Sequence, residues 1–327
     1  GYAEYNTTIA KQRGNGNTSF QKQRYDNNWA KVDQHGNSNY AEQDQSSEAN
    51  TVDGSNAYIM QRGRDNEAKQ MQRGSNNYAT ALQQGNSNSS YEDQKSDAGG
   101  SSWNNSLVEQ YGAWNTSCVY QEATGLGFNM SNVYQTSSNN NSFVDQYVNN
   151  GANINVVMQG LGWGSNNTSY VNQSAEGGLN GSLVVQGMGS DNESTVDQVA
   201  NNMGGNGSAV MQMGNENQSG VSQNANGSFN LSAVGQIGGS NFSVVDQTAN
   251  GGQNYSLVGQ YGWDNLSCVT QNALEGFNAS TVMQFGTDNE SHVNQNAIST
   301  SNFSNVNQVG HANFSCVTQT GTTGSSF

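Results

Sequence analysis

The residues of this sequence with the greatest capacity for regular chemistry are its glutamines and asparagines, because each side-chain amide can both donate and accept hydrogen bonds. In the second half of the chain, segments of the form Asn-x-Ser-x-Val-x-Gln end on glutamines whose spacing alternates between 11 and 13 residues. The pattern gives a repeat of 24 residues made of two unequal halves. The glutamines that close these segments are Gln212, Gln223, Gln236, Gln247, Gln260, Gln271, Gln284, Gln295, Gln308 and Gln319.

The same glutamine positions continue towards the N-terminus through Gln121 and Gln110 to Gln12, with steps that widen to as much as 16 residues. Twenty-six half-units, or thirteen repeats, therefore fill almost the whole chain of 327 residues. Hydrophobic residues make up only 32% of the sequence, a share that on its own indicates disorder, but a strict period overrides that interpretation. The absence of proline suits a chain that is strand almost throughout.

Within each half-unit the fixed residues occupy every second position, which is the period of a β-strand. We therefore predict that Asn, Ser, Val and Gln face inward and that the variable residues between them face outward. From Val108 onward the inner apolar position is valine in all 18 half-units. The inner valines of the last three repeats are Val258, Val269, Val282, Val293, Val306 and Val317.

The connections between strands have two lengths, and the shorter one reads Gln-x-Gly-x-x-Asn. Glycine takes the left-handed dihedrals of a tight reversal, and asparagine tolerates them. One short and one longer arc per repeat predict an all-β fold, namely a two-sheet parallel β-solenoid of 13 strand-arc-strand rungs. Its glutamines would stack about 4.8 Å apart in amyloid-like ladders. The arc residues of the last three repeats are Gly262, Gly286, Gly310, Asn265, Asn289 and Asn313.

The ends of the predicted solenoid are expected to be uncapped. The repeats begin at Asn6 and end at Gln319, and the polar tail that follows is poorly suited to form a packed cap. Open strand edges recruit further strands, so we expect the subunit to join itself head to tail in an open fibre. No signal peptide precedes the repeats, and we interpret the chain from Gly1 as a mature, processed form.

The repeats divide into two chemically different blocks. Residues 1–95 form four rungs that contain all ten basic residues and eleven acids, for a net charge of −1, whereas residues 96–327 form nine rungs and a tail with fourteen acids and a charge of −14. In the first block alanine often replaces the inner serine, and Gln21, Gln43, Gln70 and Glu92 replace the second-strand valine. Two interpretations stay open: a docking block, or repeat drift with solvated surface charges.

Residues suited to catalysis or metal binding are sparse. His35, His292 and His311 lie on different repeats and the acids are scattered, so we predict no catalytic site, no metal site and no cofactor. The net charge of −15 argues against a nucleic-acid partner, and no apolar stretch reaches membrane-spanning length. Three cysteines are too few and too scattered for a disulfide framework.

The repeats resemble the curlin repeats of bacterial curli, whose unit is Ser-x5-Gln-x-Gly-x-x-Asn-x5-Gln. Gln308, Gly310, Asn313 and Gln319 follow that unit, with Asn302 at its opening serine position. The resemblance covers nearly the whole chain. It implies a secreted functional-amyloid subunit of an extracellular fibre at the bacterial cell surface, which serves the biofilm matrix in adhesion and surface colonisation.

The same resemblance implies a nucleator subunit and an outer-membrane secretion pore as partners. The sequence departs from the familiar curli subunits in two respects. It has many more repeats, and it shows no Gly-rich N-terminal secretion segment.

Three functional hypotheses follow, of which a self-assembling structural fibre is favoured. A solenoid enzyme would need a convergent cluster of acids. A soluble ligand- or ice-binding solenoid would need a flat and regular outer face. The outer column of the second strands is irregular in residue type, running through Thr195, Gly220, Val244, Cys268, His292 and Cys316.

Overall fold

The computed structural model describes residues 5–47, 54–97, 101–162 and 164–322. These residues contain 26 β-strands and no helix. Two consecutive strands make one turn of a solenoid, so the described strands correspond to thirteen turns. The predicted all-β, two-sheet parallel β-solenoid is confirmed.

The chain forms two compact units, Gly1–Asn166 and Asn167–Phe327. The strands of the first unit are β1 (Thr7–Arg13), β2 (Thr18–Arg24), β3 (Trp29–Asn37), β4 (Tyr40–Ser46), β5 (Asn56–Arg64), β6 (Glu67–Arg73), β7 (Asn77–Asn86), β8 (Ser89–Ser96), β9 (Trp103–Ala113), β10 (Thr116–Thr124), β11 (Phe128–Gln135), β12 (Asn141–Asn149) and β13 (Ala152–Leu161).

The second unit is built from strands of the same length and kind. They are β14 (Thr168–Glu176), β15 (Leu179–Gly187), β16 (Glu193–Asn201), β17 (Gly205–Asn215), β18 (Gln218–Asn226), β19 (Phe229–Gly239), β20 (Phe242–Asn250), β21 (Gln253–Trp263), β22 (Leu266–Leu274), β23 (Phe277–Thr287), β24 (Glu290–Ile298), β25 (Ser301–His311) and β26 (Phe314–Thr322).

Within each unit the odd-numbered strands pair in parallel in one sheet, here called the odd sheet, and the even-numbered strands pair in a second, the even sheet. The register aligns equivalent positions of successive repeats, as in the pairing of Val234 with Val258 and of Gln236 with Gln260. Because consecutive strands alternate between sheets, each strand stacks on the strand two places earlier in the sequence. This arrangement positions every inner residue directly over its counterpart in the next turn.

The core is a narrow strip between the sheets. Side chains alternate across a strand, so Asn254, Val258 and Gln260 of β21 are fully buried, while Tyr255 and Leu257 face outward and are exposed. The burial pattern therefore matches the predicted inner and outer rows.

The short arcs use two left-handed residues. Gly262 has φ 126°, and a Cβ atom there would lie 1.9 Å from the carbonyl oxygen of Gly286 in the next turn, so only glycine fits. Asp264, two residues later, has φ 55°. The sequence pattern identified the glycine and pointed to asparagine as the other residue that tolerates such dihedrals, but the second left-handed residue lies one position before Asn265. This position is aspartate in some repeats and serine, glutamate, tryptophan or alanine in others.

The first four turns have a different core. Ala30 and Ala41 fill the inner position that serine fills in later turns, and both are fully buried. The buried apolar side chains here are mostly small, and Ile59 is the largest of them. They form a cluster of Val32, Ala41, Ile59, Ala68 and Ala81.

Candidate functional site

Glutamine amides join successive turns along both sheets. In the odd sheet of the second unit, the Gln260 Nε2 atom donates to Gln284 Oε1 at 2.9 Å, and Gln284 donates in the same way to Gln308 at 2.8 Å. Gln212 and Gln236 precede them in this ladder. In every case the donor lies in the earlier turn and the acceptor in the later one.

The even sheet carries a matching ladder in the same direction. Its contacts run from Gln223 through Gln247, Gln271 and Gln295 to Gln319, with N–O distances of 2.7–2.8 Å. In the first unit, Gln110 donates to Gln135 and Gln121 donates to Gln146. The structure thus brings all twelve glutamines singled out in the sequence into ladders.

Each of these twelve glutamines also ties the two sheets together. Besides its ladder bond, Gln260 Nε2 lies 3.0 Å from the carbonyl oxygen of Phe242 in the even sheet and 2.9 Å from that of Asn265 in the arc. Gln271 of the even sheet donates to the carbonyl oxygen of Tyr255 at 2.8 Å. A buried amide with so many partners replaces the apolar contacts that the composition lacks.

Asparagine amides form ladders that run the opposite way. Asn289 Nδ2 donates to Asn265 Oδ1 at 2.9 Å, and Asn313 donates to Asn289 at 2.8 Å, so here the donor lies in the later turn. Asn265 also donates to the carbonyl oxygen of Gly286 at 3.0 Å, which joins its short arc to the short arc of the next turn. The amide dipoles of the glutamine and asparagine ladders therefore oppose each other. The amino-acid sequence alone does not indicate in which direction either ladder donates.

Valines fill the space between the ladders. Val258 and Val282 are fully buried in the odd sheet, as are Val269 and Val293, within 2%, in the even sheet. Val306 and Val317 continue these columns into the last two strands, where burial falls because the stack ends.

Inner serine hydroxyls behave differently from the amides. Within the described residues, the Oγ atoms of Ser243, Ser267 and Ser291 have no hydrogen-bond partner. Stacked hydroxyls in successive strands are about 4.8 Å apart, which exceeds hydrogen-bond length. An amide spans that gap because its nitrogen faces one neighbour and its oxygen faces the other.

A third glutamine ladder occupies the valine column of the even sheet in the first four turns. Gln21 donates to Gln43 at 2.8 Å, Gln43 to Gln70 at 2.9 Å, and Gln70 to Glu92 Oε1 at 3.0 Å. On its other side Glu92 is aligned with Val119. A glutamine at position 92 would leave an amide N–H against valine, whereas a carboxyl group accepts from Gln70 and ends the ladder.

Glu92 is fully buried, and its Oε2 atom has no hydrogen-bond partner among the described residues. Burial raises the pKa of Glu92 to about 7, and the hydrogen bond from Gln70 offsets part of the rise. No charged side chain in the described structure contributes to this shift. The strand period predicted that Glu92 faces inward but did not explain a buried acid at that position. The explanation is the register between turns, which sets Glu92 between Gln70 and Val119.

The outermost strands present open edges. Among the described residues, β1, β2, β25 and β26 each have a paired strand on one side only. Backbone N–H groups of outward-facing residues point towards the next turn, as when Leu266 donates to Asn289 O and Glu290 donates to Asn313 O, both at 2.8 Å. By the same alternation, the N–H of Thr318 in β26 points out of the open edge.

Side chains of the described residues form few clusters suited to other chemistry. In the described part of the chain, no group of three or more His, Cys, Asp and Glu side chains could hold a metal ion. A shallow groove of about 540 Å³ in the first unit is lined by Arg73 and Lys95, but these bases pair with Asp93 at 3.3 Å and Glu122 at 2.6 Å. The three cysteines are free thiols. The residues that the structure describes contain no helix of the length and apolarity that a membrane crossing requires.

The fold and its inward amides define a class of protein: a parallel β-solenoid whose turns are joined by ladders of the amyloid type. A family model described as the curlin associated repeat matches residues 63–94, from the end of β5 into β8. This match confirms the resemblance to curlin repeats and lies within the segment that carries the third glutamine ladder. No curated protein matches the sequence.

Proposed function

We propose that this chain is a structural subunit that joins head to tail into an extracellular, curli-like amyloid fibre of the biofilm matrix, where it serves adhesion and surface colonisation. The observation that carries the proposal is the complementarity of the two open ends. One end presents the donors of the glutamine ladders and the other presents their acceptors.

The donor end consists of β25 and β26. Gln308 and Gln319 are the last members of their ladders, and their amides donate only to backbone carbonyls among the described residues. The acceptor end consists of β1 and β2. Gln12 and Gln23 donate onward to the second turn, but no described side chain donates to their own Oε1 atoms. A second copy that continues the stack would place donors opposite acceptors.

The backbone supports the same contact. A row of unpaired N–H and C=O groups along an edge strand is a template for another strand, and both sheets end in such a row. Because donors and acceptors differ between the ends, the contact is heterologous and produces an open, polar fibre.

The curlin repeat match supports secretion and a role outside the cell. The nucleator subunit and the outer-membrane secretion pore belong to the proposal as partners, because the fibres that the repeats resemble use them. We assign the chain no catalytic role. The irregular outer column from Thr195 to Cys316, now seen along β16 to β26, gives no support to the alternative of an ice- or ligand-binding solenoid.

Proline substitutions at the donor end test the proposal. In β23 the N–H of Phe277 donates to Thr300 O of the next turn. Asn307 has the same parity in β25, so its N–H points out of the open edge as that of Thr318 does. Asn307→Pro combined with Thr318→Pro therefore removes one such N–H from each sheet without removing a hydrogen bond inside the chain. We expect the double variant to keep its β-sheet circular dichroism spectrum and to elongate preformed seeds roughly tenfold more slowly, or not at all.

The matched control is Asn307→Ala with Thr318→Ala, which keeps both N–H groups and is expected to elongate like the unmodified chain. Normal elongation by the folded proline variant would overturn head-to-tail stacking through these strands.

A further inference from the structure

We propose that the outward face of the odd sheet between β15 and β25, here called the apolar face, is a lateral docking surface for the same face of a second copy. The inference rests on the proposed fibre, in which it would join two filaments side by side.

The apolar face carries no formal charge. The six strands β15, β17, β19, β21, β23 and β25 contain no Asp, Glu, Lys or Arg. Large apolar side chains stand exposed on it, with 51% of Leu231, 41% of Leu257 and 40% of Phe285 accessible. Contiguous exposed apolar surface of this extent is typical of an interaction site.

Glycines flatten the apolar face. A Cβ atom at Gly205 would lie 2.6 Å from the ring of Phe229, and one at Gly239 would lie 2.1 Å from the ring of Trp263. The large side chain of each later turn therefore lies over the glycine of the turn before it. This arrangement turns bulky residues into a low, dense surface suited to face-to-face packing.

The charge distribution favours a second copy as the occupant. In the second unit the outward face of the even sheet carries five acids and no Lys or Arg. The acids are Glu176, Glu193, Asp197, Asp246 and Glu290. Contacts between copies through that face would bring like charges together. Pairing through the apolar face buries uncharged surface and leaves the acids in solvent.

The area is sufficient for a stable contact. Six strands about 4.8 Å apart and some nine residues at about 3.3 Å each define a footprint of roughly 900 Å² per copy. Two copies would bury roughly 1,800 Å², within the range of specific interfaces. Because the face recurs in every subunit of a fibre, the contacts would act together and hold filaments even where one contact is weak.

The test places a charge at the centre of the face. Leu257 lies on β21 between Ala233 and Thr281 of the adjacent strands. Leu257→Asp is expected to leave elongation unchanged but to yield single filaments, whose mass per unit length in scanning transmission electron microscopy is half that of the unmodified, paired filaments. Leu257→Lys places a positive charge opposite the same charge of the second copy, so it is also expected to yield single filaments. Agreement between the two variants shows that the effect does not come from a folding defect specific to aspartate.

Thr248→Asp is the matched control, since Thr248 is exposed at the other sheet's outward face beside Asn224 and Asn272. It adds the same charge and is expected to leave the filaments paired. Pairing that survives both Leu257 variants, or unmodified filaments that are already single, would overturn the lateral contact alone. A complete absence of filaments from the unmodified chain would instead overturn the proposed function.

Discussion

The first four turns and the second unit fill the same strand framework with different chemistry. In the even sheet of the second unit, the central column is valine, as at Val245 and Val269, and needs no polar partner. In the first four turns the same column is a glutamine ladder through Gln43 and Gln70, in which every amide needs a partner on both sides. The buried ladders formed by the glutamines that close each half-unit are common to both regions.

The comparison shows that the stability of this fold depends on each inner column having one kind of side chain along its length. A column of valines needs no hydrogen bonds, and in a column of glutamines each amide bonds to the next. A change from one kind to the other leaves a buried polar group without a hydrogen-bond partner. Glu92 stands at that change, and its carboxyl group accepts from Gln70 without presenting an amide to Val119. Substitutions that mix the two solutions should therefore be costly, and those that convert a whole column should not.

The largest effect is expected from single exchanges between the columns. Gln43→Val leaves the Gln21 amide without its acceptor and the Gln70 oxygen without its donor, for a loss of about 3–5 kcal/mol in local stability. Val269→Gln is expected to cost a similar amount, because its amide would stand between Val245 and Val293. Hydrogen exchange of the affected strands measures both.

The control converts the whole column, with valine at positions 21, 43, 70 and 92 together. We expect it to recover most of the stability lost by Gln43→Val. The idea that each column must have one kind of side chain would be contradicted if the single Gln43→Val exchange were neutral. It would also be contradicted if the fourfold change lost about four times as much stability as the single one.

A smaller effect is expected from pH. Because the pKa of Glu92 is raised in the folded state from an ordinary value near 4.5 to about 7, the folded state binds the proton more tightly than the unfolded chain does. The stability from this group is fully present below about pH 4.5, falls as pH rises to about 7, and is constant above that, with a total of about 3 kcal/mol.

Hydrogen exchange of β6, β8 and β10 between pH 4.5 and 8, corrected for intrinsic exchange rates, measures this fall. Glu92→Gln is expected to remove it, while Asp93 and Asp145, whose pKa values burial also raises, titrate in both proteins and cancel in the comparison. An identical pH profile for the two proteins would show that Glu92 is not the titrating group.

The smallest effect is expected from exchanging serine and alanine, the other difference between the regions. The Ser267 hydroxyl is buried and unpartnered among the described residues, so Ser267→Ala should be neutral or should stabilise β22 by up to about 1 kcal/mol. The reverse change, Ala68→Ser, should destabilise β6 by a comparable amount. A clear loss of stability in Ser267→Ala would show that the serine row has a bonding role.

Much of the fold followed from the sequence because a strict period in a parallel stack leaves few alternatives. The glutamine spacing predicted the strands, their inner face and the number of turns, and the glycines of the short arcs marked the reversals. What the sequence did not predict depends on neighbours in space. The opposite directions of the Gln260 and Asn265 ladders and the place of Glu92 require the register between turns. The second left-handed residue, Asp264, occupies an arc position whose residue type varies between repeats, so it leaves no pattern in the sequence.

The apolar face has a signal in the sequence. The outward positions of the first strands in the last six repeats carry no charge, whereas the outward positions of the second strands include acids such as Glu193 and Asp246. This contrast in charge between the two strands of each repeat predicts a difference between the outer faces of the two sheets.

The most direct test of the central claim, that two complementary open ends make this solenoid a fibre subunit, is to remove denaturant from the purified chain and examine it by electron microscopy and fibre diffraction. We expect unbranched filaments with a meridional reflection near 4.8 Å, the spacing between stacked strands. Persistent folded monomers, without filaments and without a thioflavin signal, would contradict the claim.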